Sequence, residues 1–479
     1  MASGYTEDHQ VEQPAIELFN DLGWETVNAY QEELATSESV GTLGRETRDE
    51  VVLYSILSKK LKEFNPDVPA EQIDEVIKRM TRDRSSMHPV RANKEIYDAI
   101  RDGMDVEFRG RNGKMREETI RVIDWKQPVN NHYLLVSQLW VSGDYGNKRP
   151  DLVGFINGLP VLLFELKKPA RPVEEAFRSN INDYKDTIPQ LFWYNQFIFL
   201  SNGSDTKVGT LSSPWEFYTE WKKISDEEEP GIVSLETAIR GICNINRLLD
   251  LMEHFLLFED TVSKPKKLMA RNHQYLGVNN AIDVVKRIEE NKGKLGVFWH
   301  TQGSGKSYSM VLLTRKIMRS IPGDWKFVIV TDRLDLDEQI YKNFAGVGAV
   351  TEPESEVRAD SKEQLKQLLS ENHRYTFTLI HKFHARDGEE FPVLSEDDDI
   401  IVITDEAHRT QYDALAMNMR KALPNAAFLG FTGTPLIKGE DERTREVFGD
   451  YVSIYDFKQS IEDNATVPSS MKTGYPSWS

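Results

Sequence analysis

The sequence predicts an α/β protein made of an α+β part followed by a parallel-sheet α/β part, and three observations carry that prediction. Strand-like runs crowd together between residues 119 and 201 (TIRVIDW, YLLVSQLWV, DLVGFI, VLLFELK, QFIFLSN), with one helical stretch among them at 173 to 187. Beyond residue 274, apolar runs (KLGVFWH, FVIVT, FTLIH, IIVIT, AFLGFT) alternate with helical patterns, as parallel strands joined by crossover helices do. Between the two parts, SKPKKLMARNHQ, residues 263 to 274, is polar, basic and proline-containing, and reads as a linker.

The elements before residue 119 read mostly as helix. In PAEQIDEVIKRM the apolar Ile73, Val76, Ile77 and Met80 recur at i, i+3, i+4 and i+7, which buries one stripe of a helix. A chain of 479 residues exceeds one ordinary core, so several domains are expected. We divide it into 1–262, 263–455 and a remainder, 456–479, whose last residues (PSSMKTGYPSWS) lack periodicity and read as frayed. The acidic clusters at 226 to 229 and 396 to 399 read as solvated loops.

Hydrophobic residues make up 39% of the chain, which excludes general disorder. The single cysteine, Cys243, has no partner for a disulfide or metal cage, so a reducing compartment is expected. The start MASGYTEDHQ lacks a secretion signal and no apolar run approaches membrane-spanning length, which together predict a cytoplasmic protein with no membrane partner. Net charge is −18, from 77 acidic against 59 basic side chains, so any nucleic-acid binding requires local basic patches.

The stretch GFINGLPVLLFELKKP, 154 to 169, reads as a hairpin turning at Asn157-Gly158. Alternation in the second strand puts Glu165 and Lys167 on one face, and the turn brings the strand that follows Asp151 alongside. Two carboxylates and an amine then converge, an arrangement suited to phosphodiester hydrolysis. Carboxylate oxygens ligate Mg²⁺, and a lysine orients the nucleophile and stabilises developing negative charge. The bland alternative is a solvated hairpin end with a surface ion pair worth about 0.2–1 kcal/mol.

RPD, a strand, NGLP and ELK resemble the PD-(D/E)XK nuclease signature, and 149 to 169 is similar to the nuclease of type I restriction motor subunits. The resemblance implies catalytic roles for Asp151, Glu165 and Lys167, with Asp151 and Glu165 as metal ligands. Similar nucleases add an upstream helical Glu, for which Glu46 in GRETRDEVVLYSIL stands, and a downstream Gln-x-x-x-Tyr. Tyr184 matches the last position of that pattern, with Asn180 in place of its Gln.

GVFWHTQGSGKSYSMVLL runs from a strand through a glycine loop into a helix. Gly303 and Gly305 let the backbone of Thr301 to Ser304 approach phosphates, Lys306 reaches the terminal phosphates, and Ser307 can ligate Mg²⁺. His300 stands at the first Gly of G-x-x-x-x-G-K-[ST]. In IIVITDEAHRT the carboxylates follow a buried strand, so Asp405 would hold the nucleotide's Mg²⁺ and Glu406 would activate water. His408 would couple that site to FTGTP, 431 to 435, where Thr432 and Thr434 sense nucleotide or DNA state.

These motifs resemble DEAH-box superfamily 2 motors and their RecA-like domain. By that resemblance Gln274 pairs with the adenine edge, Arg271 lies near the nucleotide, and Arg333 and Lys382 are candidate DNA-phosphate contacts. The order of motifs is similar to that of the restriction subunit of type I restriction-modification enzymes over residues 40 to 468. The resemblance implies ATP-driven translocation of double-stranded DNA, Mg²⁺-dependent cleavage, and partner specificity and methyltransferase subunits. It also implies a second motor lobe beyond this sequence, without which ATP hydrolysis is expected to be poor and translocation absent. A freestanding DNA-repair helicase-nuclease and a catalytically idle assembly module of the restriction complex remain the alternatives.

Overall fold

The computed structural model describes residues 8–110, 113–260, 264–371, 373–385, 391–405, 412–434 and 440–463. The chain divides into two compact units, Met1–Asn272 and His273–Ser479. Among the described residues, no helix is long and apolar enough to cross a membrane.

The first unit is organised by a six-stranded mixed sheet in chain order: β1 (Glu25–Asn28), β2 (Tyr133–Ser137), β3 (Leu152–Ile156), β4 (Leu159–Leu166), β5 (Phe197–Ser201) and β6 (Thr206–Gly209). β1 and β2 run parallel, as do β4 and β5; the other neighbours are antiparallel. Every residue of β2, β3, β4 and β5 is buried. Such two-sided burial explains why those strands read as continuous apolar runs. Phe164 stacks on Phe199 at 4.2 Å between ring centres, and Phe19 meets Phe164 edge-on at 5.5 Å. The helix Ala70–Thr81 buries Ile73, Val76, Ile77 and Met80 completely, the stripe its spacing predicts.

Asn157 and Gly158 take φ of +51° and +84°, the positive values that a two-residue hairpin turn between right-twisted strands requires. Asn157 is fully buried, its amide donating to the Val122 carbonyl and to Asn131 at 2.9 Å each. A Cβ at Gly158 would lie 2.5 Å from the Leu53 carbonyl oxygen, so the turn is clamped against the chain that enters helix Tyr54–Phe64.

The second unit is a six-stranded sheet of parallel pairs: β7 (Lys294–His300), β8 (Lys326–Thr331), β9 (Tyr375–Leu379), β10 (Ile400–Thr404), β11 (Ala427–Thr432) and β12 (Tyr451–Tyr455). Their spatial order is β9-β8-β10-β11-β7-β12. The expected parallel sheet is therefore present, with β12 as an added edge strand.

Three expectations need correction. The stretch 263 to 274 does hold the boundary between the units, but it is not an unstructured linker: Lys266–Met269 is a strand paired antiparallel with Leu256–Glu259, inside the first unit. It is anchored by Lys267, whose fully buried ammonium donates to Asn93 Oδ1 and the Asn195 carbonyl at 2.9 Å and to Gln196 Oε1 at 2.6 Å. The boundary consequently falls at 272/273 rather than 262/263. Glu46 is not helical; it lies exposed in a bend, and helix begins only at Tyr54. Arg45 disrupts any helix there by turning inward to pair with Glu32 and to donate to the carbonyls of Glu50 at 2.8 Å and Trp140 at 2.9 Å. In TIRVIDW the strand stops at Ile120, where Asn65 accepts from the Arg121 N–H and breaks the ladder. The acidic clusters lie in solvated loops as expected, each locally tethered: Glu229 accepts the N–H groups of Ile224, Ser225 and Asp226, and Asp397 pairs with Lys326 at 2.8 Å. The expected frayed end, 468 to 479, lies outside the described residues.

Candidate active sites

The first candidate site sits where β3 begins and β4 ends. The register pairs Leu152 with Phe164, and continuing it by one residue sets Asp151 opposite Glu165. An Asp151 carboxylate oxygen accepts the Leu166 N–H at 2.7 Å, across the strand pair. Glu165 Oε1 accepts from Lys167 Nζ at 3.0 Å, and its Oε2 accepts from the Tyr184 hydroxyl at 3.0 Å. The Lys167 backbone N–H continues the ladder to Ser201 of β5 at 2.8 Å, which fixes where its side chain leaves the sheet.

This is not a solvated hairpin end. Glu165 is 2% exposed. Burial, and secondarily the neighbouring Asp151 charge, push its carboxyl up to about 8, while Lys167 and Tyr184 pull it back. A carboxyl in a dry, like-charged setting is held with its proton near neutrality unless a cation arrives. Tyr184 is pushed up as well, first by burial and then by Glu165. Asn180, the residue standing where the downstream pattern has Gln, acts on Tyr184 in the opposite sense and pulls it back down. Asp151, Glu165, Lys167 and Tyr184 thus come together, and Glu46 is not among them.

The second candidate site lies at the C-terminal ends of β7, β10 and β11. Those three strands are neighbours, with Trp299 opposite Thr432 and Thr404 opposite Gly430. From β7 the chain passes through Thr301 to Ser304 into helix Lys306–Ser320. Gly303 and Gly305 have φ of +82° and +87°, conformations open to glycine. The helix begins with no side-chain cap, and the Ser304 hydroxyl is buried with no hydrogen-bond partner among the described residues. Such an uncapped N-terminus with an orphaned hydroxyl suits a phosphate.

Lys306 Nζ donates to the His300 carbonyl at 3.2 Å, and Ser307 is half-buried one residue further on. A Cβ at Gly433 would lie 3.2 Å from Lys306 Nζ, so the loop after β11 closes directly over the lysine. In that loop Thr432 Oγ1 donates to the Thr434 carbonyl at 3.0 Å. Asp405 follows β10, 7% exposed, its N–H bonded to Val330 at 2.9 Å. Glu406, His408 and Pro435 lie outside the described residues.

Gln274 is 5% exposed and donates from Nε2 to the Gly305 carbonyl at 3.0 Å, touching the loop itself. Arg271 precedes helix Asn272–Val285 and is half-buried, in the first unit. Arg333 is exposed beside Asp332 at 3.6 Å, and Lys382 donates to the Asp360 carbonyl. Neither is drawn into the site.

Sequence reasoning missed a histidine pair under the loop. His273 Nε2 lies 3.0 Å from the Ser304 carbonyl and its ring stacks on Tyr455 at 3.7 Å. His300, at the position where the glycine motif begins, is completely buried with Nε2 2.6 Å from Ser453 Oγ. Its pKa is held well below the ordinary value by burial, His273 and Lys306. A strand-end residue that packs toward β12 does not meet a phosphate, and so has no need to be glycine. No local sequence signal announces the pairing of His300 with Ser453, because the two lie 153 residues apart.

Two families match the chain. Residues 4–217 match the type I restriction enzyme R protein N terminus, and residues 273–477 match the SWI2/SNF2 ATPase family. The HindI endonuclease subunit of a type I restriction enzyme from Haemophilus influenzae is 38% identical over 96% of this chain and 45% of its own length. A Methanocaldococcus jannaschii relative, named for an MjaIXP endonuclease subunit of a type I restriction enzyme, is 31% identical over 98% of this chain and 46% of its own length. The chain therefore spans about half the length of these curated relatives. Among solved structures, the ATP-dependent type ISP restriction-modification enzyme LlaBIII bound to DNA is 15% identical, with a TM-score of 0.32, over 43% of this chain and 16% of that one.

Proposed function

Because the chain belongs to the R-protein family of type I restriction enzymes, we propose that it carries a Mg²⁺-dependent DNA-cleaving centre of PD-(D/E)XK type and an ATP-binding motor domain of RecA-like type. The observation that supports this most is the meeting of Asp151, Glu165 and Lys167 at one strand end. The donor set suits a hard cation: two carboxylates on adjacent strands offer oxygen ligands, and the raised Glu165 carboxyl marks a charge deficit that a divalent ion offsets. When bound there, Mg²⁺ lowers the pKa of a coordinated water and neutralises phosphate charge.

The chain's own groups do the rest. Asp151 and Glu165 hold the ion, with Asp151 oriented by the Leu166 N–H and Glu165 by the Tyr184 hydroxyl. Lys167 donates to Glu165 and is the group placed to orient the attacking water and stabilise developing negative charge.

In the motor domain, the N–H groups of the 301–305 loop and Lys306 take the phosphates of ATP, Ser307 and Asp405 hold its Mg²⁺, and Glu406 activates water. By the family resemblance Gln274 pairs with the adenine edge and Arg271 is a candidate nucleotide contact, His408 couples the site to the loop after β11, and Thr432 and Thr434 report the nucleotide state. The substrate is double-stranded DNA, moved by the motor of the whole subunit. Specificity and methyltransferase subunits are the partners that supply site recognition, in the cytoplasm. Mg²⁺-dependent cleavage of plasmid DNA that disappears in both Asp151→Ala and Lys167→Ala supports the reading; cleavage that persists in either variant overturns it.

A further inference from the structure

Two residues ahead of Asp151, Arg149 packs its guanidinium carbon 4.9 Å from the ring centre of Tyr30 and 5.1 Å from that of Trp140. Arg48 approaches the same Trp140 ring at 5.8 Å. The platform is braced from beneath. Buried Arg45 donates to the Trp140 carbonyl, and the Ser142 N–H donates to the Arg48 carbonyl at 2.9 Å, tying the 45–48 bend to the strand that follows Trp140. Two cations are thus gathered on one aromatic ring by a scaffold that uses a buried ion pair to hold it.

What the group lacks is a counter-charge. The chain carries 77 acidic against 59 basic side chains, and among the described residues at least twelve arginines stand within 4.0 Å of a carboxylate. Neither Arg48 nor Arg149 has a carboxylate within that distance among the described residues, and Arg48 Nε is buried with no hydrogen-bond partner there. Like charges sharing a ring repel. A planar fork held on an aromatic face is the group best matched to a phosphate, which would offset that repulsion.

We propose that Arg48 and Arg149, gathered on Trp140 beside Asp151, form a clamp for a phosphate of the DNA backbone next to the cleaved bond. The clamp rests on the nuclease reading of Asp151, Glu165 and Lys167, which fixes a DNA strand rather than a free nucleotide as its occupant.

The test uses the full chain and a fluorescent DNA duplex of about 30 base pairs, with Ca²⁺ in place of Mg²⁺ while anisotropy is read across a salt series. The double variant R48Q/R149Q is expected to bind at least about tenfold more weakly, with a log–log salt slope shallower by about 0.9, since each phosphate neutralised contributes about 0.9 to that slope. R48K/R149K keeps the charges and guards against a folding defect: it is expected to recover the slope and only part of the affinity. Unchanged affinity and slope in the glutamine variant, with wild-type chain that still binds and cuts, overturns the clamp and leaves the nuclease standing. Binding lost in that variant, with no Mg²⁺-dependent cutting by wild type, overturns the nuclease and leaves the phosphate site. Wild-type chain that neither binds nor cuts overturns both.

Discussion

Glu165→Gln should make this protein more stable, and by an amount that depends on pH. In the unfolded chain the Glu165 carboxyl ionises near the usual carboxylate range, whereas in the fold, burial and Asp151 push it up to about 8. Below about pH 4.3 both states are protonated, and the group contributes nothing. As pH rises toward 8, the unfolded state has lost a proton that the native state keeps, so stability falls across that window. At about 1.36 kcal/mol per unit, the loss approaches about 5 kcal/mol. The glutamine keeps an oxygen for Lys167 and Tyr184 without the ionisation. For a unit of this size about 2 °C accompanies each kcal/mol, so the variant's melting temperature should exceed wild type by roughly 10 °C at pH 8 and match it at about pH 4.5. Thermal unfolding in EDTA at the two pH values measures this. An identical difference between variant and wild type at both pH values would refute the claim that a buried, proton-holding carboxyl sits at this strand end.

Other outcomes follow from the same geometry. Lys306→Ala removes the ammonium beside Gly433 and should weaken binding of a fluorescent ATP analogue at least about 100-fold, near 2.7 kcal/mol, with an unchanged circular dichroism spectrum. Lys267→Met strands the acceptors of Asn93, Asn195 and Gln196 in the core, so chemical denaturation should show about 3 kcal/mol or more of lost stability; a loss below about 1 kcal/mol would contradict the anchoring role. Arg45→Met leaves Glu32 charged and buried, and should destabilise the first unit by about 3–5 kcal/mol in the same assay.

Much of this protein is legible along its chain, and the illegible parts share a cause. The 154–169 hairpin could be read because Asn-Gly is a local device: positive φ at both residues sets the turn, and period two then sets which side chains converge. The strands of the parallel sheet read clearly because burial on both faces writes unbroken apolar runs. The 263–274 stretch marked the unit boundary but misled about its own structure, because a lysine-rich, proline-containing run resembles a solvated linker, while Lys267 is sunk in a polar socket built from residues up to 174 positions away. Glu46 misled in the same manner: helix propensity spoke for GRETRDEVV, and the inward turn of Arg45 to Glu32 decided otherwise. Tyr184 carried only a spacing pattern, and its value comes from a hydroxyl that reaches Glu165 across the fold. The pairings of His273 and His300 under the glycine loop have no local signature at all.

The measurement that bears most directly on the proposed nuclease centre is a Mn²⁺ titration of the nucleotide-free chain, followed by electron paramagnetic resonance. One bound ion per chain that disappears in Asp151→Asn is the expected result. A stoichiometry the substitution leaves unchanged would contradict the assignment of Asp151 and Glu165 to a shared divalent cation.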